Sequence, residues 1–404
     1  MNEQYNISDI ENRIILGDNL EILKKIPDNS VDLIYLDPPF FSQRRYEVIW
    51  GDEWERRAFD DIWKGKKDQS RKGGIEVYKE FMRTRLEECH RVLKPTGTIF
   101  LHCDKHANHH LRLLLDDIFG ANHFINEIIW HYGLGGSSKK KFQQKHDNIY
   151  WYAKGDKWIY NIQWVPATSN KLKGQMKNMS DVWNIPNINN MAKERLGYPT
   201  QKPEALLERI ILAASNEGDL VLDPFCGCGT TLAVAKRLNR RYIGIDVSWT
   251  ACKLMADRLN TPYTDIINWV PDRETALTMD PYEFQAWVCT FLKATCNRRG
   301  ADNGIDGWFV NAALQVKQRK ISRGDVTQFS ADMRQFDKTK DMNIGVIIAP
   351  EFSSKAEDAA AKLKNEGITI ILLSLDDLLN NRIDILERAG IFRRPAQGVL
   401  PATF

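Results

Sequence analysis

The sequence predicts an α/β protein in two units. The first is a mostly parallel sheet covered by helices on both faces, and the second is a smaller α/β unit. Three observations carry that prediction. Short apolar runs alternate with helical patterns up to Leu259. A glycine turn joins one of these runs to a helix, and the next run ends in an acid. The alternation then breaks, and a second, shorter series follows. Strands that alternate with helices pair in parallel, because each crossover helix returns the chain to the same edge and covers a face.

The predicted strands of the first unit are Arg13–Leu16, Val31–Leu36, Gly97–Leu101, Leu220–Leu222 and Tyr242–Ile245. They read as near-continuous apolar runs, the pattern of strands buried on both faces. Helical periods lie between them, as in Tyr78–Leu93 and Glu204–Ala214. From about Gly155 to Arg195 the chain turns polar and Asn-rich, and it reads as an irregular insertion. The first unit is expected over residues 1–262, with the insertion at about 155–195. Residues 263–280 hold one proline, Pro271, and no clear period, so they read as a connecting arm before a second unit at 281–404. That unit is expected to open with a helix over Tyr282–Thr295. Strands should follow at Ala312–Lys317, Ile344–Ala349 and Ile368–Leu373.

At 404 residues the chain is long for one domain and sufficient for two. No stretch approaches 18 uninterrupted apolar residues, so no transmembrane helix and no membrane partner are expected. The start, MNEQYNISDI, has neither a basic flank nor an apolar run, and a secretory leader is not expected. The seven cysteines are scattered, which points to a reducing, cytoplasmic setting. Cys226 and Cys228 stand two apart, but no second pair supplies a zinc spacing. The net charge of +3 is too small to name a partner. Local charge says more. Between Lys139 and Arg195 eleven basic residues face four acidic ones, roughly +7. Trp151, Tyr152, Trp158, Tyr160, Trp164 and Trp183 are interleaved with them, so this segment is read as a nucleic-acid surface.

The glycine turn is Leu220-Val-Leu-Asp-Pro-Phe-Cys-Gly-Cys-Gly-Thr-Thr. A strand runs into Asp223 and Phe225, then Gly227 and Gly229, and a helix starts near Thr230. Glycines there let the backbone approach a ligand at the carboxyl edge of the sheet. The next strand ends at Asp246, where an acid can accept both hydroxyls of a ribose. The whole arrangement suits a nucleotide-bearing cofactor. No Gly-x-x-x-x-Gly-Lys-Ser/Thr occurs, which disfavours a P-loop motor.

A second signal is Asp37-Pro38-Pro39-Phe40, directly after the strand Val31–Leu36. Two prolines are stiff and donate no backbone hydrogen bond. They hold a carboxylate, Asp37, and an acceptor, the Pro38 carbonyl, in fixed positions beside the flat face of Phe40. An exocyclic amino group is a poor nucleophile, because its lone pair is delocalised into the ring. Two acceptors on its hydrogens favour a tetrahedral nitrogen and free that lone pair for a sulfonium methyl group. An aromatic side chain can stack on the base once it is out of the helix.

These two motifs resemble motifs IV and I of the DNA amino-methyltransferases over roughly residues 12–260. The catalytic motif precedes the cofactor motif and the insertion lies between them, an order similar to the beta group. Gly17-Asp18-Asn19-Leu20, Leu93-Lys94-Pro95-Thr96-Gly97 and Thr200-Gln201-Lys202-Pro203 also look like this group. The resemblance implies a Rossmann-like sheet that binds S-adenosylmethionine. Asp223, Phe225, Gly227, Gly229 and Asp246 would hold the cofactor. Thr200 and Lys202 would serve its methionine end, and Asp18 would line the same pocket. It further implies double-stranded DNA as substrate and the insertion as target-recognition region. Asp before Pro-Pro favours adenine N6 over cytosine N4. Phe40 replaces the more usual Tyr and keeps the stacking face.

In the second unit Glu283 lies on the first predicted helix. Asp306 begins a strand, and Gln315 and Lys317 share one face of the next by period-two alternation. Such oxygen donors can bind Mg²⁺, and the lysine can stabilise charge on an attacked phosphate. The stretch 281–375 resembles the Mrr-like branch of the PD-(D/E)xK nucleases. By that likeness Asp306, Gln315 and Lys317 are catalytic, Asp306 and Gln315 hold the metal, and Glu283 assists. The expectation is a restriction-modification protein, a site-specific methyltransferase with an endonuclease domain; a homodimer is an option. The alternatives are a solitary methyltransferase whose tail only holds DNA, and a modification-dependent nuclease.

Overall fold

A computed structural model describes residues 4–39, 41, 45–50, 55–60, 71–133, 139–167, 174–189, 191–297, 304–336 and 343–391. The chain divides into two compact units, the first reaching to Ile267 except for a short piece from Trp50 to Arg56, which groups with the second from Asn268 onward.

The first unit carries strands β1 (Arg13–Leu16), β2 (Val31–Leu36), β3 (Arg45–Trp50), β4 (Glu55–Asp60), β5 (Leu93–Cys103), β6 (Phe124–His131), β7 (His146–Ala153), β8 (Trp164–Pro166), β9 (Met176–Asn178), β10 (Val182–Asn184), β11 (Leu220–Asp223) and β12 (Arg241–Asp246). Its helices are α1 (Ile7–Ile10), α2 (Asn19–Leu23), α3 (Arg71–Val92), α4 (Asn108–Phe119), α5 (Glu204–Ala214), α6 (Thr230–Arg237) and α7 (Trp249–Leu259). Eight strands form one sheet in the order β1-β12-β11-β2-β5-β7-β6-β10. Neighbours from β1 through β5 run parallel, β7 is antiparallel to β5 and β6, and β10 is parallel to β6. Every residue of β2 is buried. Its one charged residue, Asp32, is satisfied by Lys94 Nζ at 2.7 Å and by the Leu220 amide at 2.9 Å. That pairing lets an acid sit in a central strand and ties β2 to β11.

The chain passes from β11 to one side of the sheet and from β2 to the other. Their carboxyl ends therefore flank the point where strand order reverses, the place where open α/β sheets bind ligands. β6 and β7 were not anticipated, and they add the antiparallel pair beyond β5. The insertion is less irregular than its composition suggests. β8 and β9 form a two-stranded sheet, and β10 joins the main sheet at β6.

The second unit contains α8 (Arg273–Thr278), α9 (Pro281–Phe291), α10 (Arg323–Phe336), α11 (Ser354–Asn365), α12 (Leu375–Leu379) and α13 (Asp384–Arg388). Its strands are β13 (Thr295–Cys296), β14 (Gly307–Trp308), β15 (Ala313–Val316), β16 (Ile344–Ala349) and β17 (Thr369–Ser374), ordered β13-β14-β15-β16-β17. The first three run antiparallel and the last three parallel. Ile305, Ile321, Val326, Phe329, Ile347 and Ile370 lie in a core of their own. The residues read as a connecting arm are ordered. Ile267 bridges to Ile15, and Asp272 caps α8 by accepting from the Thr275 amide at 2.7 Å. The helix expected to reach Thr295 stops at Phe291. Lys293 adopts the left-handed conformation (φ 55°) and the Ala294 amide turns back to the Cys289 carbonyl, which ends the helix and frees Thr295 for β13.

Candidate active sites

The functional motifs of the first unit converge at the carboxyl ends of parallel strands. Asp18 follows β1, Asp37 follows β2, His102 is the last residue but one of β5, Asp223 ends β11 and Asp246 ends β12. In the turn after β11, Gly227 and Gly229 have φ of +50° and +72°. A Cβ on Gly229 would stand 2.6 Å from Met255 Cγ, and one on Gly227 would stand 3.0 Å from the Tyr198 ring. Glycine is therefore required at both for conformation and for space. Asp246 fixes this turn, since its carboxylate accepts from the Gly227 and Ser248 amides, each at 2.9 Å. Each carboxylate oxygen has two lone pairs and can accept more than one donor.

Asp223 is buried. It accepts from the Phe225 amide at 3.0 Å and from Thr231 Oγ1 at 2.5 Å. Burial pushes its carboxyl up to about 7, and the charges of Asp37 and Asp246 add to that against the pull of the two hydrogen bonds. The Gly-Asp-Asn segment braces the same turn. Asn19 Nδ2 donates to the Pro224 carbonyl at 2.7 Å, and Arg85 donates to Asn19 Oδ1 and forms an ion pair with Asp18 at 2.9 Å. The Arg85 guanidinium lies 3.5 Å from the centre of the Phe81 ring, which in turn neighbours Phe225 at 6.3 Å. Asn19, Arg85 and Tyr198 were not singled out from sequence. Asn19 sits inside a motif that was, whereas Arg85 and Tyr198 carry no local signal.

Asp37 is mostly buried, and its two oxygens differ. Oδ2 accepts from the buried ammonium of Lys202, which also donates to the Thr200 carbonyl at 3.2 Å. Oδ1 is buried with no hydrogen-bond partner among the described residues. Lys202, expected at the methionine end of the cofactor, thus sits on Asp37, and Thr200 is exposed with φ of 66°. The Tyr78 hydroxyl donates to the Pro39 carbonyl at 2.7 Å, so α3 pins the Pro-Pro segment from outside the motif. Pro38 is buried and Pro39 half-buried, and Phe40 lies outside the described residues.

The basic segment from Lys139 to Arg195 sorts its aromatics into two sets. Trp151, Tyr152 and Trp183 are buried, because β7 lies between β5 and β6 and Trp183 packs from β10. They belong to the core, not to a nucleic-acid surface. Trp158, Tyr160 and Trp164 are exposed. Lys139, Lys140, Lys141 and Lys157 are exposed as well, whereas Lys154 is tied to Asn29 and the Arg91 and Leu93 carbonyls.

In the second unit Asp306 is buried just before β14. Its Oδ2 accepts from the Val316 amide at 2.7 Å and stands 3.4 Å from Lys317 Nζ. Gln315 donates to the Gly304 carbonyl at 2.8 Å, and its Oε1 is buried with no hydrogen-bond partner among the described residues. Glu283 lies on α9, whose Gln285 donates to the Asp306 carbonyl at 2.6 Å. Among the described residues no three His, Cys, Asp or Glu side chains cluster as a metal site. Any cation here would rest on the mixed carboxylate and amide oxygens of Asp306 and Gln315.

Both units resemble known proteins. Residues 276–381 match the Mrr catalytic family, described as restriction endonuclease. The type II methyltransferase M.HpaI of Haemophilus parainfluenzae is 34% identical over 262 residues, 63% of this chain and 76% of that protein. M.BglII of Bacillus subtilis is 33% identical over 258 residues, 58% of this chain and 65% of that protein. Among solved structures, the cytosine-N4-specific PvuII DNA methyltransferase aligns with a TM-score of 0.46 and 18% identity, covering 61% of this chain and 85% of its own. No helix among the described residues is long and apolar enough to cross a membrane. Residues 31–257, more than half of the chain, match the N6/N4 methyltransferase family, described as DNA methylase, and the chain belongs to that family.

Proposed function

We propose that the chain transfers a methyl group from S-adenosylmethionine to the exocyclic amino group of a base flipped out of double-stranded DNA, with adenine N6 favoured over cytosine N4. The observation that carries this reading is the asymmetry of Asp37. Lys202 occupies one carboxylate oxygen, and the other is buried with no hydrogen-bond partner among the described residues. A buried lone acceptor is costly unless a ligand donor meets it. An amino group fits, and the Pro38 carbonyl would take its second hydrogen while Phe40 stacks on the ring. Held this way the nitrogen lone pair is released from the ring. When bound, the cofactor supplies an electrophilic methyl group on a sulfonium cation. The residues suit that cation: Asp37, Asp223 and Asp246 are close enough for the charges of the first and last to act on the second. The Gly227–Gly229 turn would carry the cofactor, with Asp246 at its ribose hydroxyls and Phe225 lining the pocket. Asp18, Asp223 and Lys202 would act through the walls of the site, and Thr200 at its rim.

The second unit is proposed to be an endonuclease that uses Mg²⁺. The buried Gln315 Oε1, which has no hydrogen-bond partner among the described residues, and the Asp306 carboxylate would supply oxygen ligands to a hard cation. Lys317 would stabilise charge at the attacked phosphate, and Glu283 would assist from α9. Boundaries at about 262 and 281 would separate the two activities, with recognition of the target sequence in the 155–195 region.

The test is to incubate the purified chain with radiolabelled S-adenosylmethionine and duplex DNA, then identify the modified nucleoside by mass spectrometry. N6-methyladenine is expected. N4-methylcytosine would correct the base, and label confined to RNA or protein would sink the DNA reading.

A further inference from the structure

Behind Asp37 lies a string of buried polar groups with no part in the chemistry above. His102 is fully buried. Its Nε2 stands 3.3 Å from Asp147 Oδ2, and its Nδ1 stands 2.9 Å from the Tyr35 hydroxyl and 4.0 Å from Asp37 Oδ1. The Tyr132 hydroxyl reaches the other Asp147 oxygen at 3.4 Å. Burial works against an ionised Asp147, yet its hydrogen bond to the His102 ring, the nearby Lys202 charge and the Tyr132 hydroxyl favour the ionised form and hold it below the usual carboxylate range. An ionised carboxylate can only accept, so Nε2 carries the hydrogen, and in the neutral ring Nδ1 is then the acceptor of the Tyr35 hydroxyl. The basic nitrogen of the imidazole therefore faces Asp37, and a carboxylate stands behind the ring to stabilise a positive charge on it.

Methylation of an amino nitrogen creates a proton that must go somewhere. The nitrogen–carbon bond forms as the sulfur–carbon bond breaks, and the positive nitrogen then sheds one hydrogen. Asp37 Oδ1 is the acceptor already on that hydrogen. A proton left there would neutralise Asp37 and strand the buried Lys202 ammonium without its counter-charge, a costly state. We propose that His102, backed by Asp147, takes this proton from Asp37 and so returns Asp37 to its ionised form. The path runs from the methylated nitrogen to Asp37 Oδ1, then to His102 Nδ1. The Tyr35 hydroxyl, donor and acceptor both, turns to accept from the new N–H. Asp147, 13% exposed, leads the charge toward solvent. Among the described residues, the titratable and charged groups facing His102 include Asp37, Tyr35 and Asp147, with Lys202 and Tyr132 behind them. The neighbouring Cys103 thiol is pushed up by burial and stays neutral.

This inference rests on the methyltransferase reading, and the test separates the two. Single-turnover methylation of duplex DNA by the full chain is followed across pH in wild type, H102Q and D147N, with cofactor and DNA binding measured alongside. Wild type should show an acid limb, because a His102 already protonated cannot accept. H102Q should bind both ligands within about twofold, react on the order of 100-fold more slowly and lose that limb. In D147N the imidazolium loses its counter-charge, so the limb should move to lower pH. If H102Q fails to fold, the limb shift in D147N carries the test. Wild-type rate in H102Q, slowing with an unchanged limb, a wild type with no acid limb, or an unmoved limb in D147N overturns the relay. A wild type that transfers no methyl group to any DNA overturns the methyltransferase reading itself and the relay with it.

Discussion

Asp37 and Lys202 form a pair whose two halves do different work. The carboxylate keeps one buried oxygen without a hydrogen-bond partner among the described residues, and the ammonium holds the other so that it cannot swing away. Asp37→Asn keeps the shape and a carbonyl for Lys202 but weakens the acceptor. Methyl transfer should fall at least 100-fold, while S-adenosylmethionine affinity, read by calorimetry, should change little. Lys202→Met should be harsher on the fold, because it leaves a buried carboxylate unpaired. A loss of about 3–5 kcal/mol in denaturant unfolding is expected. Cofactor binding lost in D37N with transfer rate intact would exchange the assigned roles. Asp223 makes a different prediction. Its folded carboxyl is raised to about 7, above the unfolded value of about 3.9. The stability it contributes is therefore complete below the unfolded value and lost as pH rises through about 7. A bound sulfonium cation favours the ionised form, so cofactor binding should release a proton near neutral pH. Calorimetry in buffers of differing ionisation heat should show this, and a buffer-independent heat would remove Asp223 from the linkage.

At the scale of elements, the sheet is a device for gathering strand ends. β1, β12, β11, β2 and β5 all point their carboxyl ends at one crevice, so residues as distant in sequence as Asp18 and Asp246 share it. That much is legible in the sequence, because buried parallel strands read as apolar runs and the motifs sit at their ends. β6 and β7 are harder to read, since Asn126, Glu127, His146, Asp147 and Asn148 interrupt their apolar pattern. The Asp37–Lys202 pair spans 165 residues, and no local pattern announces it. His102 reads as one more residue in a strand until the Asp147 and Tyr35 side chains are placed around it. Motif residues were legible, and the groups that hold them were not, because support comes from whichever side chain the fold brings near. The exposed lysines of the basic segment from 139 to 195 yield a prediction of their own. Replacing Lys139, Lys141 and Lys157 with alanine should lower the salt slope of DNA binding by about 2–3, roughly one for each phosphate no longer neutralised. Exchanging residues 155–195 for those of a relative with another target should change the sequence methylated. An unaltered methylation pattern after the exchange would put recognition elsewhere.

For the whole molecule, the question is why one polypeptide carries a DNA methylase domain and a restriction endonuclease domain. A nuclease acting in the cell that makes it destroys that cell's genome unless a chemical mark protects it. The first unit is proposed to write such a mark, which predicts Mg²⁺-dependent cleavage of DNA that lacks it. The reverse polarity is the competing outcome, in which the tail cuts DNA bearing foreign methyl marks and ignores its own. The full chain should be incubated with Mg²⁺ and three plasmids: unmethylated, methylated by the chain itself, and methylated by an enzyme of different target. Cleavage of the first alone supports protection by self-modification, and cleavage of the third alone supports the competing polarity. Lys317→Ala is the sharpest control. Lys317 Nζ stands 3.4 Å from Asp306 Oδ2, directly after the strand that presents Gln315. As a cation it repels a metal ion and cannot serve as its ligand, so metal binding should survive its loss while the stabilised charge at the phosphate disappears. A drop of about 100-fold or more in cleavage with Mg²⁺ affinity kept is expected. If no plasmid is cut, or K317A cuts as fast as wild type, the tail is a domain that holds DNA without cleaving it.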